Sequence, residues 1–295
     1  MPLLRATSQV TAPPDPRRIE QAIARLQALP AFYPAVQKAL KLLEDPFSTP
    51  THLQQVICAD QAVAARILQL ANSAHFTTYT AVHTVSLAIT LLGRERIQTL
   101  LHRFLAEELI LMLSGRKPAA RQIREISLNT AAAARSLADR LVRSDVEEAL
   151  LAGLLHNIGE LVLLSQFRDD YEAMLRLAER EPFPVAEVTI FGVESRMVGK
   201  WLLESWRFPA FFPAVIEHYA DPWAVHFPAA PLPLIVIIHT ARFLADSLLA
   251  GVGAEQVAAE VSIRVLSTLE ADRNFLRDVY EGLPGELARL KSALA

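Results

Sequence analysis

The sequence predicts an all-α protein, built from two packed helical subdomains. Three observations support this prediction. No segment shows sustained alternation of apolar and polar residues, the 295-residue chain contains only 10 glycines, and helix caps or helix breakers punctuate nearly every segment. With 52% hydrophobic residues, the chain is also able to bury a large core.

The first half of the chain is predicted to begin with short helices. Thr49 followed by Pro50 is typical of an N-cap residue followed by a proline in the first helical turn. Asp60 can cap the next helix, whose apolar residues recur at helical intervals. A third helix is predicted to stop at Gly93, and a longer amphipathic helix then runs over 94–113.

The second half begins after Pro118 with a strongly helical segment. Four consecutive alanines at 131–134 permit close approach by a neighbouring helix. Ser144 and Glu147 have the spacing of a capping box and are predicted to start the next helix. Gly159 is predicted to end or bend that helix.

Prolines and glycines divide the remaining chain into further helices. These are predicted over 168–180, 184–192, 194–206, 209–220, 232–250 and 254–269, with a terminal stretch near 284–294. Because the break near 114–120 is too short for a free linker, the halves are predicted to pack together. The predicted organisation is a flexible tail (1–16), an N-terminal helical subdomain (17–115), a second helical subdomain (116–250) and a C-terminal helical extension (251–295).

Composition and patterning exclude several classes of protein. The single cysteine, Cys58, precludes an intrachain disulfide and a cysteine-based metal site, which favours a reducing cytoplasm. We expect this thiol to pack against a helix. The N-terminus lacks the pattern of a secretory signal, and His239, Arg242 and Asp246 interrupt the apolar segment 232–250 too often for a membrane span. We therefore expect a soluble, cytoplasmic protein that does not contact a membrane.

Charge is distributed unevenly, although the net charge is only −3. Residues 94–143 carry 10 basic and 5 acidic side chains, whereas residues 144–295 carry 12 and 22. The basic segment predicts a surface for an acidic protein or a nucleotide, and the alternative interpretation is a solvated helix face. No motif for specific DNA recognition accompanies it. The residues of this candidate surface are Arg94, Arg96, Arg103, Arg116, Lys117, Arg121 and Arg124.

The most informative segment is 151–164, where His156 and Asn157 interrupt an apolar helical run. A metal enzyme would favour His-Asp at this point, because an ionised aspartate can share a divalent metal with the histidine. Neutral Asn157 offers only a weak amide oxygen. The pair is therefore either a metal site or the remains of one.

Several motifs together resemble the HDOD family of bacterial signalling modules. L-A-N-S, L-L-G and L-L-H-x-I-G follow in that order, F-G-V-E-S-R-M-V-G-K-W-L-L-E-S-W-R-F-P and V-I-E-H-Y-A-D-P continue the resemblance, and together they cover about residues 21–250. HDOD modules are all-helical relatives of the HD and HD-GYP phosphohydrolases, and they are regarded as regulatory outputs that have lost hydrolytic activity. The resemblance implies a multi-helical HD-like bundle with a packed N-terminal helical subdomain.

The resemblance also implies where a metal site would lie. An active HD site has a histidine before the central pair, the His-Asp pair itself, later histidines and a final aspartate. In this chain the first position falls at Ile126 beside Ser127, and Glu160 replaces the lysine that commonly follows the pair's glycine. We expect two separated histidines without a carboxylate partner, and hence no catalytic residue, no metal and no cofactor. The vestigial positions are Ile126, His156, Asn157, Ser195, His218, Tyr219 and Arg242.

The two histidines among these positions also have a structural explanation. Polar groups within a packed helical core can be satisfied by hydrogen bonds to each other, to Asn157 or to backbone carbonyls. We favour this role for His156 and His218 over a small-ligand pocket.

The leading hypothesis is a non-enzymatic signal-transduction module that binds a signalling protein partner. One alternative is a residual metal-dependent phosphohydrolase that acts on a cyclic dinucleotide or another nucleotide, with His156 and His218 holding the metal. Another is a non-catalytic receptor for cyclic di-GMP or a related nucleotide. Metal content, phosphodiesterase activity and nucleotide binding distinguish the three.

Overall fold

The computed structural model describes residues 16–27, 34–72, 82–115, 118–141, 145–224 and 232–293. Within these ranges every regular element is a helix, which confirms the predicted all-α class. The helices are α1 (Arg17–Gln27), α2 (Pro34–Glu44), α3 (Pro50–Cys58), α4 (Gln61–Ala71), α5 (Val85–Ser114), α6 (Pro118–Leu141), α7 (Val146–Leu155), α8 (Ile158–Gln166), α9 (Arg168–Ala178), α10 (Phe183–Phe191), α11 (Ser195–Ser205), α12 (Phe211–His218), α13 (Leu232–Leu249), α14 (Ala254–Glu260), α15 (Ile263–Leu269) and α16 (Arg273–Ala293).

Local sequence signals set the ends of the first helices. The Thr49 hydroxyl accepts a hydrogen bond from the backbone N–H of His52, and Pro50 opens α3 as predicted. Asp60 caps α4 through its carboxylate. The helical path of α5 is interrupted at Gly93, where φ is 78° and ψ is 168°. This positive φ favours glycine, so the predicted break is confirmed.

The predicted capping box at the start of α7 is wrong. Asp145 is the N-cap, and its carboxylate accepts hydrogen bonds from the backbone N–H groups of Glu147 and Glu148. Ser144 lies outside the described residues. The Glu147 side chain turns away from the cap and pairs with Arg103 of α5. The two acidic residues in the first turn of α7 also match the positive end of the helix dipole.

The C-terminal region differs from the prediction in two places. The helix expected over 254–269 is divided at Val261 and Ser262, and the Ser262 hydroxyl caps α15. The terminal helix is longer than expected, because α16 begins at Arg273 and continues through Pro284. Burial of Leu283 and Leu290 on either side of the proline stabilises this helix beyond its local propensity.

Buried apolar side chains form two clusters. The smaller cluster contains residues of α2, α3, α4 and the first two thirds of α5, between Val36 and Leu105. The larger cluster begins with Ile19 of α1, includes the end of α5 and extends to Leu290 of α16. Helix α1 thus packs with the second half of the chain, although the sequence assigned it to the first subdomain. The predicted domain boundaries stay a prediction.

The alanine run of α6 lies against α7, as the sequence predicted. Ala131, Ala132, Ala133 and Ala134 are all buried. A Cβ added at Gly153 of α7 would lie 2.7 Å from the Cα of Ala131, so the two backbones are in direct contact. This contact fixes the position of the His156-Asn157 turn, which follows α7 directly.

Among the described residues, two segments are apolar and long enough to cross a membrane by length and composition alone, Val146–Gln166 and Leu232–Leu249. Of their most apolar stretches, 83% and 56% respectively are buried inside the fold. Both belong to the larger cluster, as expected for core helices of a globular protein. Cys58, by contrast, is exposed at the end of α3, so the expectation that it packs against a helix is wrong.

Candidate functional site

The helix ends around the His156-Asn157 turn enclose a cavity of about 590 Å³. Its walls come from α6, α8, α9, α10, the start of α11, the end of α12 and α13. Five of the seven predicted vestigial positions line it, namely Ile126, Asn157, Ser195, Tyr219 and Arg242. His156 is buried beside it, and its ring meets that of Tyr219 edge-on at 5.3 Å.

His156 has a protein partner on each ring nitrogen. Its Nδ1 lies 2.7 Å from the carbonyl oxygen of Gly153, and its Nε2 lies 3.1 Å from Nη1 of Arg242. Burial, reinforced by the positive charge of Arg242, lowers the pKa of His156 to about 3. The ring is therefore neutral, with Nδ1–H donating to Gly153 and the Nε2 lone pair accepting from the guanidinium. That lone pair is the one a metal would use.

Asn157 is also held in place by hydrogen bonds within the protein. Its Oδ1 accepts a hydrogen bond of 2.6 Å from the Ser127 hydroxyl, and its Nδ2 donates to the Ile123 carbonyl at 3.1 Å. Ile126 lines the cavity with an apolar side chain, while its neighbour Ser127 points to Asn157. The polar pair therefore fixes the position of the turn against α6, in agreement with the structural role inferred from the sequence.

Gly159 has a different role from the predicted one. It lies in the first turn of α8, after the break at His156 and Asn157. A Cβ at Gly159 would lie 1.9 Å from the backbone oxygen of Ser195 and 2.6 Å from the backbone nitrogen of Gly199. This glycine is required because α8 and α11 touch here, and that contact brings Ser195 to the cavity.

A buried carboxyl that the sequence reasoning missed lies in the cavity wall. Glu187 of α10 is only 2% exposed. Its Oε2 accepts a hydrogen bond of 3.2 Å from the backbone N–H of Ser195, but its Oε1 has no partner. Burial raises its pKa to about 7; the negative charges of Glu160 and Glu194 act in the same direction, and the hydrogen bonds from Ser195 oppose it. One signal was available, because Glu187 is the only charged residue in the apolar helix α10.

Glu160 contributes a second carboxyl. The buried Tyr171 donates its hydroxyl hydrogen to Oε1 of Glu160. Burial raises the pKa of Glu160, although the hydrogen bond from Tyr171 and the charge of Arg242 oppose this shift. The sequence reasoning did not identify these carboxyl groups, although Glu160, Glu187, Glu194 and Asp246 all line the cavity.

These residues do not fit the metal site of an HD hydrolase. Nε2 of His156 and Oδ1 of Asn157 already accept hydrogen bonds, and the guanidinium of Arg242 places a positive charge beside His156. In the part of the chain that the structure describes, no group of three or more His, Cys, Asp or Glu side chains could hold a metal ion. The carboxyl groups that line the cavity do not converge into such a group, and a divalent ion needs several ligands at short range.

His218 is not part of the cavity. Its Nε2 lies 3.2 Å from Oε2 of Glu217, which also pairs with Lys200 at 2.6 Å. The two histidines singled out in the sequence thus have different environments. The structure does not bring them together as ligands of one ion.

The described residues of the predicted basic surface have different environments. Arg94 donates to the carbonyl oxygens of Leu42 and Leu43 at the end of α2, and Arg96 pairs with Asp145. Arg103 is largely buried between Glu107 and Glu147. Two further members of the set, Arg121 and Arg124, lie on α6, while Arg116 and Lys117 are outside the described residues.

Stability should depend on pH through Glu187. The folded state raises the pKa of this carboxyl from 4.5 to about 7, so folding favours its protonated form. This contribution to stability is fully present below pH 4.5, the pKa of the unfolded state, and is lost as the pH rises through about 7. The loss is at most about 3.5 kcal/mol, at 1.4 kcal/mol per pKa unit. Chemical denaturation at pH 4.5 and 8 should show a larger loss of stability in the wild type than in Glu187→Gln. Equal pH dependence would contradict it.

The fold and the altered site define an HD-related all-α protein. The model of the family described as "HDOD domain" matches residues 29–222, and the chain belongs to this family. None of the curated proteins matches the chain.

Solved structures share the fold at low sequence identity. A protein named "Putative phosphohydrolase" from Shewanella amazonensis SB2B is 21% identical, with a TM-score of 0.67, and the match covers 94% of this chain and 98% of that chain. An HDOD domain protein with unknown function from Geobacter sulfurreducens is also 21% identical, with a TM-score of 0.62 and the same coverage. A "Putative signal transduction protein" from Marinobacter aquaeolei VT8 matches with a TM-score of 0.62 and 21% identity, over 94% of this chain and 64% of that longer chain.

Proposed function

We propose that this chain is a non-enzymatic signal-transduction module of the bacterial cytoplasm that acts by binding a protein partner. The observation that carries the proposal is the contact of 3.1 Å between Nη1 of Arg242 and Nε2 of His156. A guanidinium stays protonated at any physiological pH, so it occupies the histidine lone pair and repels a metal cation. Metal-dependent hydrolysis is therefore disfavoured at His156 and Asn157, the pair that corresponds to the His-Asp pair of active HD phosphohydrolases.

The hydrogen bonds of the former site support a structural role. Asp246 holds the Arg242 guanidinium through Nε at 2.8 Å, and Ser127 and Ile123 hold Asn157. Each polar group of the pair thus has a partner within the protein, which disfavours a direct role in catalysis. The name of the Marinobacter relative, a signal transduction protein, is consistent with a regulatory role.

Exposed apolar side chains on α9 and α10 support binding to a protein. Leu175 is 38% exposed and Phe183 is 37% exposed, while Val185 and Val188 are 47% and 46% exposed and lie one turn apart on α10. Exposed apolar groups close together on a surface often mark a contact with another protein. We prefer this surface to the basic residues of the sequence prediction, because one of those, Arg103, is largely buried between two carboxylates.

An activity assay distinguishes this proposal from a residual phosphohydrolase. We expect purified protein to contain no stoichiometric metal and to hydrolyse neither cyclic di-GMP nor a generic phosphodiester with added Mn²⁺ or Fe²⁺. His156→Ala is the matched control, since both proteins should give the same background. Stoichiometric metal, with activity lost in His156→Ala, would overturn the proposal in favour of the hydrolase.

A capture experiment tests the partner surface. Proteins recovered from the native cell with the wild type should be lost with Val185→Asp/Val188→Asp and retained with Arg121→Glu/Arg124→Glu. The reverse pattern would assign the contact to the basic residues, and recovery with both variants would exclude both surfaces. Calorimetry with cyclic di-GMP tests the receptor alternative, which the absence of binding at high micromolar concentration would count against.

A further inference from the structure

We propose that the cavity lined by Glu187 binds an organic ammonium ion, supplied either by a free amine or by the lysine side chain of a partner protein. The inference goes beyond the proposed function, because it assigns a ligand to a cavity whose residues are unsuited to hydrolysis. It rests on an unpartnered buried carboxylate oxygen, on the balance of charges in the cavity and on the aromatic residues of its walls.

The unpartnered atom is Oε1 of Glu187. Glu187 is 98% buried, because only 2% of its surface is exposed, and it belongs to the cavity wall. Its Oε2 accepts a hydrogen bond from the backbone N–H of Ser195, whereas Oε1 has no hydrogen-bond partner among the described residues. A buried acceptor without a donor is costly, and buried polar groups in folded proteins nearly always have a partner. A ligand with N–H donors would supply the missing hydrogen bond.

The charges of the cavity favour a cation. Two acidic residues are already neutralised, since Arg242 pairs with Asp246 at 2.8 Å and Arg196 pairs with Glu194. Glu160 and Glu187 form no ion pair with any residue in the described ranges. When Glu187 is ionised, it therefore carries a negative charge that no guanidinium group offsets. An ammonium ion would neutralise this charge, whereas a nucleotide phosphate would add to it.

Aromatic side chains favour an organic cation over a metal ion. Tyr171, Phe183, Tyr219 and Phe243 all line the cavity. Aromatic faces attract alkylammonium groups and also contact their methylene chains. A metal ion would need several ligands at short range, and the described residues provide no group of three suitable side chains.

Protonation of Glu187 should control the affinity. Its pKa of about 7 makes it mostly neutral at pH 6 and mostly ionised at pH 8. The ionised form attracts an ammonium ion, so affinity should rise about tenfold between these pH values. The other charged and titratable groups that line the cavity are Glu160, Tyr171, Glu194, Arg196, Tyr219, His239, Arg242 and Asp246.

Calorimetry on the full-length protein tests the proposal with two probes. Putrescine represents a free amine, and Nα-acetyl-lysine methylamide represents a lysine side chain. We expect at least one probe to bind with 1:1 stoichiometry at pH 8. Glu187→Gln should weaken that binding about tenfold or more, because a hydrogen bond between charged groups is lost. Binding of putrescine alone would identify a free amine as the source, and binding of the lysine mimic would identify a protein side chain.

Two controls separate a site from a general effect of charge. Glu181→Gln removes the same charge from an exposed position outside the cavity and should leave binding unchanged. Leu175→Trp adds bulk to the cavity wall without altering charge, and it should reduce binding. Absence of 1:1 binding by both probes at pH 8 would overturn the proposal. Binding that is equal in the wild type and in folded Glu187→Gln and Leu175→Trp proteins would also overturn it.

Discussion

Replacement of Gly159 by alanine should destabilise the protein by roughly 4 kcal/mol or more, at the upper limit of single substitutions. The added Cβ would lie 1.9 Å from the backbone oxygen of Ser195 and 2.6 Å from the backbone nitrogen of Gly199. Backbone atoms cannot rotate away as a side chain can, so α8 and α11 would have to separate. The gain in helix propensity, about 1 kcal/mol, is too small to offset this strain. Thermal or urea unfolding monitored by circular dichroism measures the change.

The matched control for this prediction is Gly199→Ala, on the facing helix. Its Cβ would meet the side-chain methyl groups of Ile216 at 3.1 Å and Ile158 at 3.3 Å. These methyl groups can shift by a few tenths of an ångström, so we expect a loss of about 1 kcal/mol. If Gly159→Ala were as stable as Gly199→Ala, the inferred contact between the α8 and α11 backbones would be incorrect.

The buried ion pair between Arg103 and Glu147 should produce the second large effect. Nη1 of Arg103 lies 2.8 Å from Oε2 of Glu147, and their side chains are 13% and 5% exposed. Arg103→Met would leave the Glu147 carboxylate buried without its cationic partner, which typically costs about 3–5 kcal/mol. Unfolding in urea at pH 7 measures the loss.

A second ion pair provides the control for this effect. Arg96 pairs with Asp145 at 3.2 Å, but their side chains are 47% and 25% exposed. Solvent screens this interaction, so Arg96→Met should cost less than about 1 kcal/mol. The double variant Arg103→Met/Glu147→Leu should recover much of the lost stability, because it removes the stranded charge. Similar losses in Arg103→Met and Arg96→Met would show that burial does not strengthen the Arg103 pair.

Much of the helical pattern could be predicted, because helix ends depend on neighbouring residues. Thr49 and Asp60 cap helices as predicted, and the positive φ at Gly93 explains the break in α5. The wrong N-cap predicted for α7 also has a local cause. Ser144 and Asp145 are adjacent and both are capable N-cap residues, and the carboxylate of Asp145 takes that position.

The candidate site was predictable only in part. The sequence identified the positions around His156 and Asn157, and the structure places Arg242 against His156 across 86 residues of the chain. The sequence reasoning missed Glu187, because the position of this residue in the cavity depends on how α10 packs beside α11. The predicted basic surface stays a prediction, and a count of charges does not reveal that one of its members, Arg103, is buried between two carboxylates.

The sequence by itself determined the all-α class, many of the helix ends and the motifs of the HDOD family. These properties depend on local propensity and on short motifs that can be read along the chain. Only the tertiary structure decided that Arg242 occupies the lone pair of His156, that Gly159 lies against the backbone of α11, and that Oε1 of Glu187 lacks a partner. The physical reason is that burial, charge pairing and unsatisfied hydrogen bonds depend on distances between helices. Those distances are set by packing across the whole core.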